Sequence, residues 1–109
     1  MKEEGYKVFW THTAQQDLLR IIEYIATDRE EQAKKVYCTI KQKAQELRQM
    51  PLRGRIVPEL RFFNIQSYRE MLSPPWRIIY RIVEDKVWIL AVIDGRRNVE
   101  DILLERVVE

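Results

Sequence analysis

The chain has 109 residues, with 19 lysines and arginines against 17 aspartates and glutamates, a formal charge of +2. That is the length of one domain spanning residues 1–109 and too short for two, and its charge is too nearly balanced for a polybasic nucleic-acid coat. A lone cysteine, Cys38, excludes an intrachain disulfide and fits a reducing compartment; no apolar run approaches membrane-spanning length, and the opening MKEEGYK lacks the apolar stretch of a secretion signal, so a cytoplasmic location without a membrane partner is expected.

In chain order, Tyr6 to Trp10 is aromatic and β-branched and predicts a first strand. Thr13-Ala-Gln-Gln16 has capping-box spacing and predicts a helix start. Ala14, Leu18, Ile21, Ile22 and Ile25 then recur at helical spacing, and the helix is expected to stop near Thr27. Asp28, with Glu31 three residues on, predicts the cap of a second helix. Its buried stripe is Ala33, Val36, Tyr37, Ile40, Ala44 and Leu47, with Lys34, Lys35, Lys41 and Lys43 mostly on the wet side, and Met50-Pro51 ends it. Two helices so closely joined form an antiparallel hairpin.

After Pro51 the rhythm changes. Leu52 to Pro58 is a loop around Gly54, Arg61 to Ile65 a short edge strand, and Ser67 to Leu72 a longer strand. Ser73-Pro74-Pro75 is a turn. Trp76 to Val83 and Val87 to Ile93 are strong strands joined tightly through Glu84-Asp85-Lys86. Asp94-Gly95 closes the last strand, and Asn98 to Arg106 reads as a short helix capped by Asn98. The expected fold is α+β: an N-terminal strand and an antiparallel two-helix hairpin packed on an antiparallel sheet of four to five strands, a two-layer sandwich.

The cations are unevenly spread. Beyond Pro51 they are Arg53, Arg55, Arg61, Arg69, Arg77, Arg81, Arg96, Arg97 and Arg106, with Lys86 the only lysine. Arginine grips carboxylate or phosphate at two points and stacks on flat rings, so an arginine-rich β half points to an anionic or flat partner. Arginines also decorate strand edges and snorkel over apolar neighbours, and for Arg61 and Arg81 that plainer reading is preferred. Alternation puts Trp76, Ile78, Tyr80 and Ile82 under the helices and Arg77, Ile79, Arg81 and Val83 on an open face. If Arg69 shares the side of Arg77, that face carries a guanidinium cluster, with Arg96 and Arg97 turned towards its rim by Gly95 and Arg55 reaching in from the loop. Glu70, Glu84, Asp85 and Asp94 are near enough in sequence to neutralise some of these.

Other chemistry is thin. His12 stands beside a helix start, Cys38 is expected to pack in the core, and Trp10, Trp76 and Trp88 likewise. One His and one Cys cannot build a zinc site; there is no phosphate-binding glycine loop and no nucleophile triad, and no cofactor is expected.

Several stretches together resemble the RelE/ParE toxin superfamily: Tyr6-Lys-Val-Phe-Trp-Thr, Asp17-Leu18, Tyr24-Ile25, Pro51 to Leu60, Tyr68-Arg-Glu70, Trp76 to Arg81 and Ile89 to Arg97. The resemblance spans nearly the whole chain and implies the toxin of a type II toxin–antitoxin, or plasmid stabilisation, pair. It implies a cognate antitoxin as partner, and a target that is either DNA gyrase, as in ParE-like members, or messenger RNA on the ribosome, as in RelE-like ribonucleases. Arg77 matches the family's mid-sheet catalytic arginine and Arg96 or Arg97 its later basic residue. The lysines and the C-terminal tyrosine of the nuclease pattern have no counterpart: Ser67, Tyr68 and Arg69 stand in the strand, and aliphatic Ile102 and Leu103 near the end. Arginine is a poor proton shuttle. The resemblance therefore favours a ParE-like, non-enzymatic toxin. Antitoxin and target would contact Arg55, Arg69, Arg77, Arg81, Arg96 and Arg97, and Arg77 and Arg97 would be catalytic only in the ribonuclease alternative. Oligomeric state is left open.

Overall fold

The computed structural model describes residues 5–107. The elements are β1 (Lys7–Trp10), α1 (His12–Ala26), α2 (Glu30–Glu46), β2 (Arg55–Ile56), α3 (Pro58–Arg61), β3 (Tyr68–Ser73), β4 (Trp76–Val83), β5 (Lys86–Asp94) and α4 (Val99–Val107). The sheet order is β1-β5-β4-β3-β2. The α+β class is as expected, but the sheet is mixed: β1 runs parallel to β5, while the other neighbours are antiparallel. The intervening helical hairpin makes the parallel crossover possible, as such connections require.

Helix α1 starts at Thr11, not Thr13. Thr11 is extended and its hydroxyl accepts the Ala14 amide at 3.1 Å, so Thr13 falls inside the first turn. Nor does Asp28 cap α2: Arg29 holds that position without a side-chain bond. The amides of Asp28 and Arg29 instead return to the Ile25 carbonyl at 3.2 and 2.9 Å, so backbone closes the hairpin. Ala14 and Leu18 of α1, with Val36, Ile40, Ala44 and Leu47, pack on Ile78, Tyr80, Val87, Ile89 and Val92 of the sheet. Tyr37 and Cys38 lie outside that stripe and are exposed, contrary to expectation, because the helical turn carries them past its edge.

The opposite face is not open throughout. Val57 and Leu60 from the α3 region, and Val99 and Leu103 of α4, bury Ile79, Ala91 and Ile93 in a second core. The expected strand at Arg61–Ile65 is absent. Pro58 at the first helical position sets α3, and Asn64 at φ 63° turns the chain back. Asn98 caps α4 as expected, its Oδ1 accepting the Asp101 amide at 3.3 Å. A bulge at Leu90, between the Ile79–Ala91 and Tyr80–Ile89 partners, shifts the phase of β5, so Val87 and Ile89 but then Val92 face the hairpin. Trp10 and Trp76 pack against the first core, but Trp88 points the other way and stacks on Phe9, ring centroids 5.0 Å apart.

Candidate binding site

Five of the six singled-out arginines are engaged by the protein itself or by a ring. Arg77 begins in β4 and is 8% exposed. Its Nη1 and Nη2 each donate to Glu59 at 2.7 Å, and its Nε donates to Glu70 Oε1 at 2.6 Å. Glu70, 1% exposed, also accepts Arg55 Nε on its other oxygen at 2.5 Å. Strand register explains this. Leu72 pairs with Arg77 and Arg55 pairs with Glu70, so Glu70, Leu72, Arg77 and Arg55 share one face. Arg69 pairs with Tyr80 and so lies on the other face, where its Nη1 donates to the Gly54 carbonyl at 2.7 Å. The expected grouping of Arg69 with Arg77 is thus overturned: the β3 side chain that meets Arg77 on its face is the acid Glu70. Hydrogen bonds from Arg77 hold Glu59 below its ordinary carboxylate range, and its two carboxylate partners push Arg77 higher still.

The loop before β2 is tied to this network. The Tyr80 hydroxyl donates to the Pro51 carbonyl at 2.7 Å and accepts the Gly54 amide at 2.9 Å. A Cβ on Gly54 would meet the Glu70 carbonyl oxygen at 2.5 Å and the Tyr80 hydroxyl at 2.6 Å, so glycine is required by the close approach. Arg81 is exposed at the far end of β4, its guanidinium 5.6 Å from the Tyr68 ring centre.

Beyond β5 the picture reverses. Arg96 folds onto its own Asp94, with Nε and Nη2 donating at 2.9 and 2.7 Å, and Asp94 is pulled down to about 2 by those bonds and by the Arg96 amide. Arg97, with Arg20 of α1 and Arg29 before α2, makes no side-chain hydrogen bond or ion pair among the described residues. These four arginines line one open groove of about 580 Å³, floored by Ile21, Ile25, Val36, Pro75 and Trp76 and flanked by Tyr24, which is 83% exposed. Among the described residues Asp94 is the only acidic one lining it. An apolar floor under four guanidinium groups that share one carboxylate suits an acidic, partly apolar ligand. Arg20 and Arg29 were not singled out from sequence. Arg20 lies on the exposed face of α1 and Arg29 in the turn before α2, places where cations are common, and only the packing brings them beside Arg97.

A second buried acid was also missed. Asp17 accepts the Val92 amide at 3.0 Å and a two-point bond from Arg106 at 2.7 and 2.9 Å. Strand β1 stops pairing at Trp10–Ile89, so Asp17 and Arg106 satisfy the edge of β5 beyond it and tie α1 to α4. The signal was present: Asp17 stands three residues after Ala14 and next to Leu18, a charge on the apolar face of α1.

The family model described as the ParE toxin of the type II toxin–antitoxin system, parDE, matches residues 8–99. This chain belongs to the ParE toxin family. Among solved structures, the chromosomal ParDE toxin–antitoxin system from P. aeruginosa superposes with a TM-score of 0.68 at 22% identity, covering 82% of this ParE-family chain and 95% of the other. The RelBE2 toxin–antitoxin complex from Mycobacterium tuberculosis gives 0.62 at 24%, covering 85% and 94%. Both share the fold. No curated protein matches this ParE-family sequence at a significant level.

Proposed function

We propose that this chain, acting as one domain in the cytoplasm, is the toxin of a type II toxin–antitoxin pair, that it arrests growth by binding DNA gyrase without cutting RNA, and that a cognate antitoxin neutralises it. The observation that carries the choice of a binding mechanism is the occupied fork of Arg77. Glu59 holds both of its terminal nitrogens, and Glu70 holds the third. A phosphate in flight needs those nitrogens free, and it would have to enter beside two carboxylates. Glu59 is held ionised at neutral pH, so it cannot donate a proton to a leaving oxygen. The ribosome-dependent ribonuclease reading has no comparable support.

The groove of Arg20, Arg29, Arg96 and Arg97 supports an acidic antitoxin segment, which would fold on contact and bind at nanomolar strength or tighter. The test adds purified toxin to a gyrase supercoiling assay and, separately, to translating ribosomes. Inhibited supercoiling with intact messenger is expected; codon-phased cuts with normal supercoiling would overturn the assignment. Co-expression with the acidic protein encoded beside it should yield a stable complex and relieve any growth defect.

A further inference from the structure

At the end of β4 remote from the groove, on the sheet face turned away from α1 and α2, strand register places four side chains in one line. Tyr68 is the partner of Arg81, Arg81 of Trp88, and Trp88 of Phe9. At a strand spacing of about 4.8 Å the line is roughly 14 Å long. Arg81 lies against the Tyr68 ring at 5.6 Å, and Phe9 stacks on Trp88 at 5.0 Å with planes 27° apart. One step along the strands, about 7 Å away, the same register aligns Val83, Lys86 and Lys7. Helices α3 and α4 cover Ile79, Ala91 and Ile93 and leave this end only partly covered: Arg81 and Lys7 are exposed, Phe9 is 36% and Val83 39% exposed, and Trp88 and Tyr68 are half-buried, Tyr68 against the second core. Arg81 and Lys7 form no ion pair among the described residues, and Lys86 meets only its exposed neighbour Asp85, at 3.9 Å. A notch of about 210 Å³ opens beside the line between Tyr68, Arg81, Thr13 and Leu90.

Flat rings on both sides of a guanidinium, with two lysines a fixed step to one side, match a particular ligand chemistry. Bases of an unpaired strand stack on rings or on arginine, while the sugar–phosphate chain follows the cations. An acidic peptide would use the cations and leave the rings idle. We infer that the Tyr68–Arg81–Trp88–Phe9 line is a binding platform for two or three nucleotides of single-stranded nucleic acid. It lies on the other sheet face from the proposed antitoxin groove and does not depend on the choice of gyrase as target.

The test is fluorescence anisotropy of the full chain with labelled oligo(dT) and oligo(U) ten-mers. Binding should fall about 18-fold between about 50 and about 200 mM salt, the slope for three phosphate contacts on a single strand. Arg81→Gln and Phe9→Leu should each weaken it about fivefold or more, with unchanged circular dichroism, while Lys35→Ala, on the exposed side of α2, leaves it as it is. Equal affinity for both oligomers fits stacking alone; a preference names DNA or RNA as the natural strand. No anisotropy change at tens of micromolar protein would overturn the inference. So would binding indifferent to both substitutions, or an oligo-glutamate peptide that displaces the strand and is itself insensitive to Phe9→Leu.

Discussion

Arg77 and Arg97 come from the same end of the sheet, where the start of β4 lies beside the end of β5. Arg77 is enclosed by α3 and β3 and has all three donor nitrogens on carboxylates. Arg97 projects after Gly95 into a groove with Arg20 and Arg29, and none of the three makes a side-chain hydrogen bond or ion pair among the described residues. The same functional group is structural in one place and available in the other. What decides is whether an acid of the same chain reaches the fork first. A buried pair holds its place because breaking it strands a charge, whereas an unpaired surface cation gives up little more than water when a partner arrives.

That contrast can be broken by substitution. Arg77→Ala leaves Glu70 buried with Arg55 alone and should cost about 3–5 kcal/mol of stability, read from urea unfolding; a loss below about 1 kcal/mol would show that the network is not structural. Gly54→Ala drives a methyl group into the Glu70 carbonyl and the Tyr80 hydroxyl, and overpacking of this kind should cost about 1–3 kcal/mol. The double change Arg20→Ala with Arg97→Ala should do the opposite. It should leave the melting temperature nearly unchanged and weaken the antitoxin about tenfold or more in calorimetry, or about 1.4 kcal/mol. An unchanged affinity would move the partner away from the groove.

The smallest effect concerns acid. Arg77 lowers the Glu59 carboxyl beneath its ordinary 4.5, so the unfolded chain takes up that proton first as pH falls. The stabilisation from Glu59 is therefore complete above 4.5 and is lost as pH drops through the lower folded value. Glu59→Gln should cost about 1 kcal/mol near neutrality and flatten the decline in stability below 4.5. A variant whose acid unfolding superposes on that of the unchanged protein would place the titration elsewhere.

Local pattern was enough for much of the frame. Period-two alternation in Trp76–Val83 marked which side chains meet the helical hairpin, since neighbouring side chains in a strand must point to opposite faces. Helical spacing marked the core stripes of α1 and α2 with the exception of Tyr37, and the order of short motifs matched the family. Propensity also separated the helical half from the β half. It failed at boundaries where one backbone bond tips the balance, as at Thr11 and Arg29, and at α3, where a proline start outweighed the aromatic run after it.

The site was less legible because its meaning lies in pairings between distant positions. That Arg69 pairs with Tyr80 while Glu70 shares the face of Arg77 depends on how β3 registers against β4, and no residue in β3 announces that register. That Glu59 reaches Arg77, or that Arg20 and Arg29 join Arg97, depends on how helices land on the sheet. Residue order carries the periodicities, and through them the elements, the core and the family. Which arginines are spent internally and which face a partner follows from contacts between residues as far apart as Asp17 and Arg106, which exist only once the chain has closed on itself.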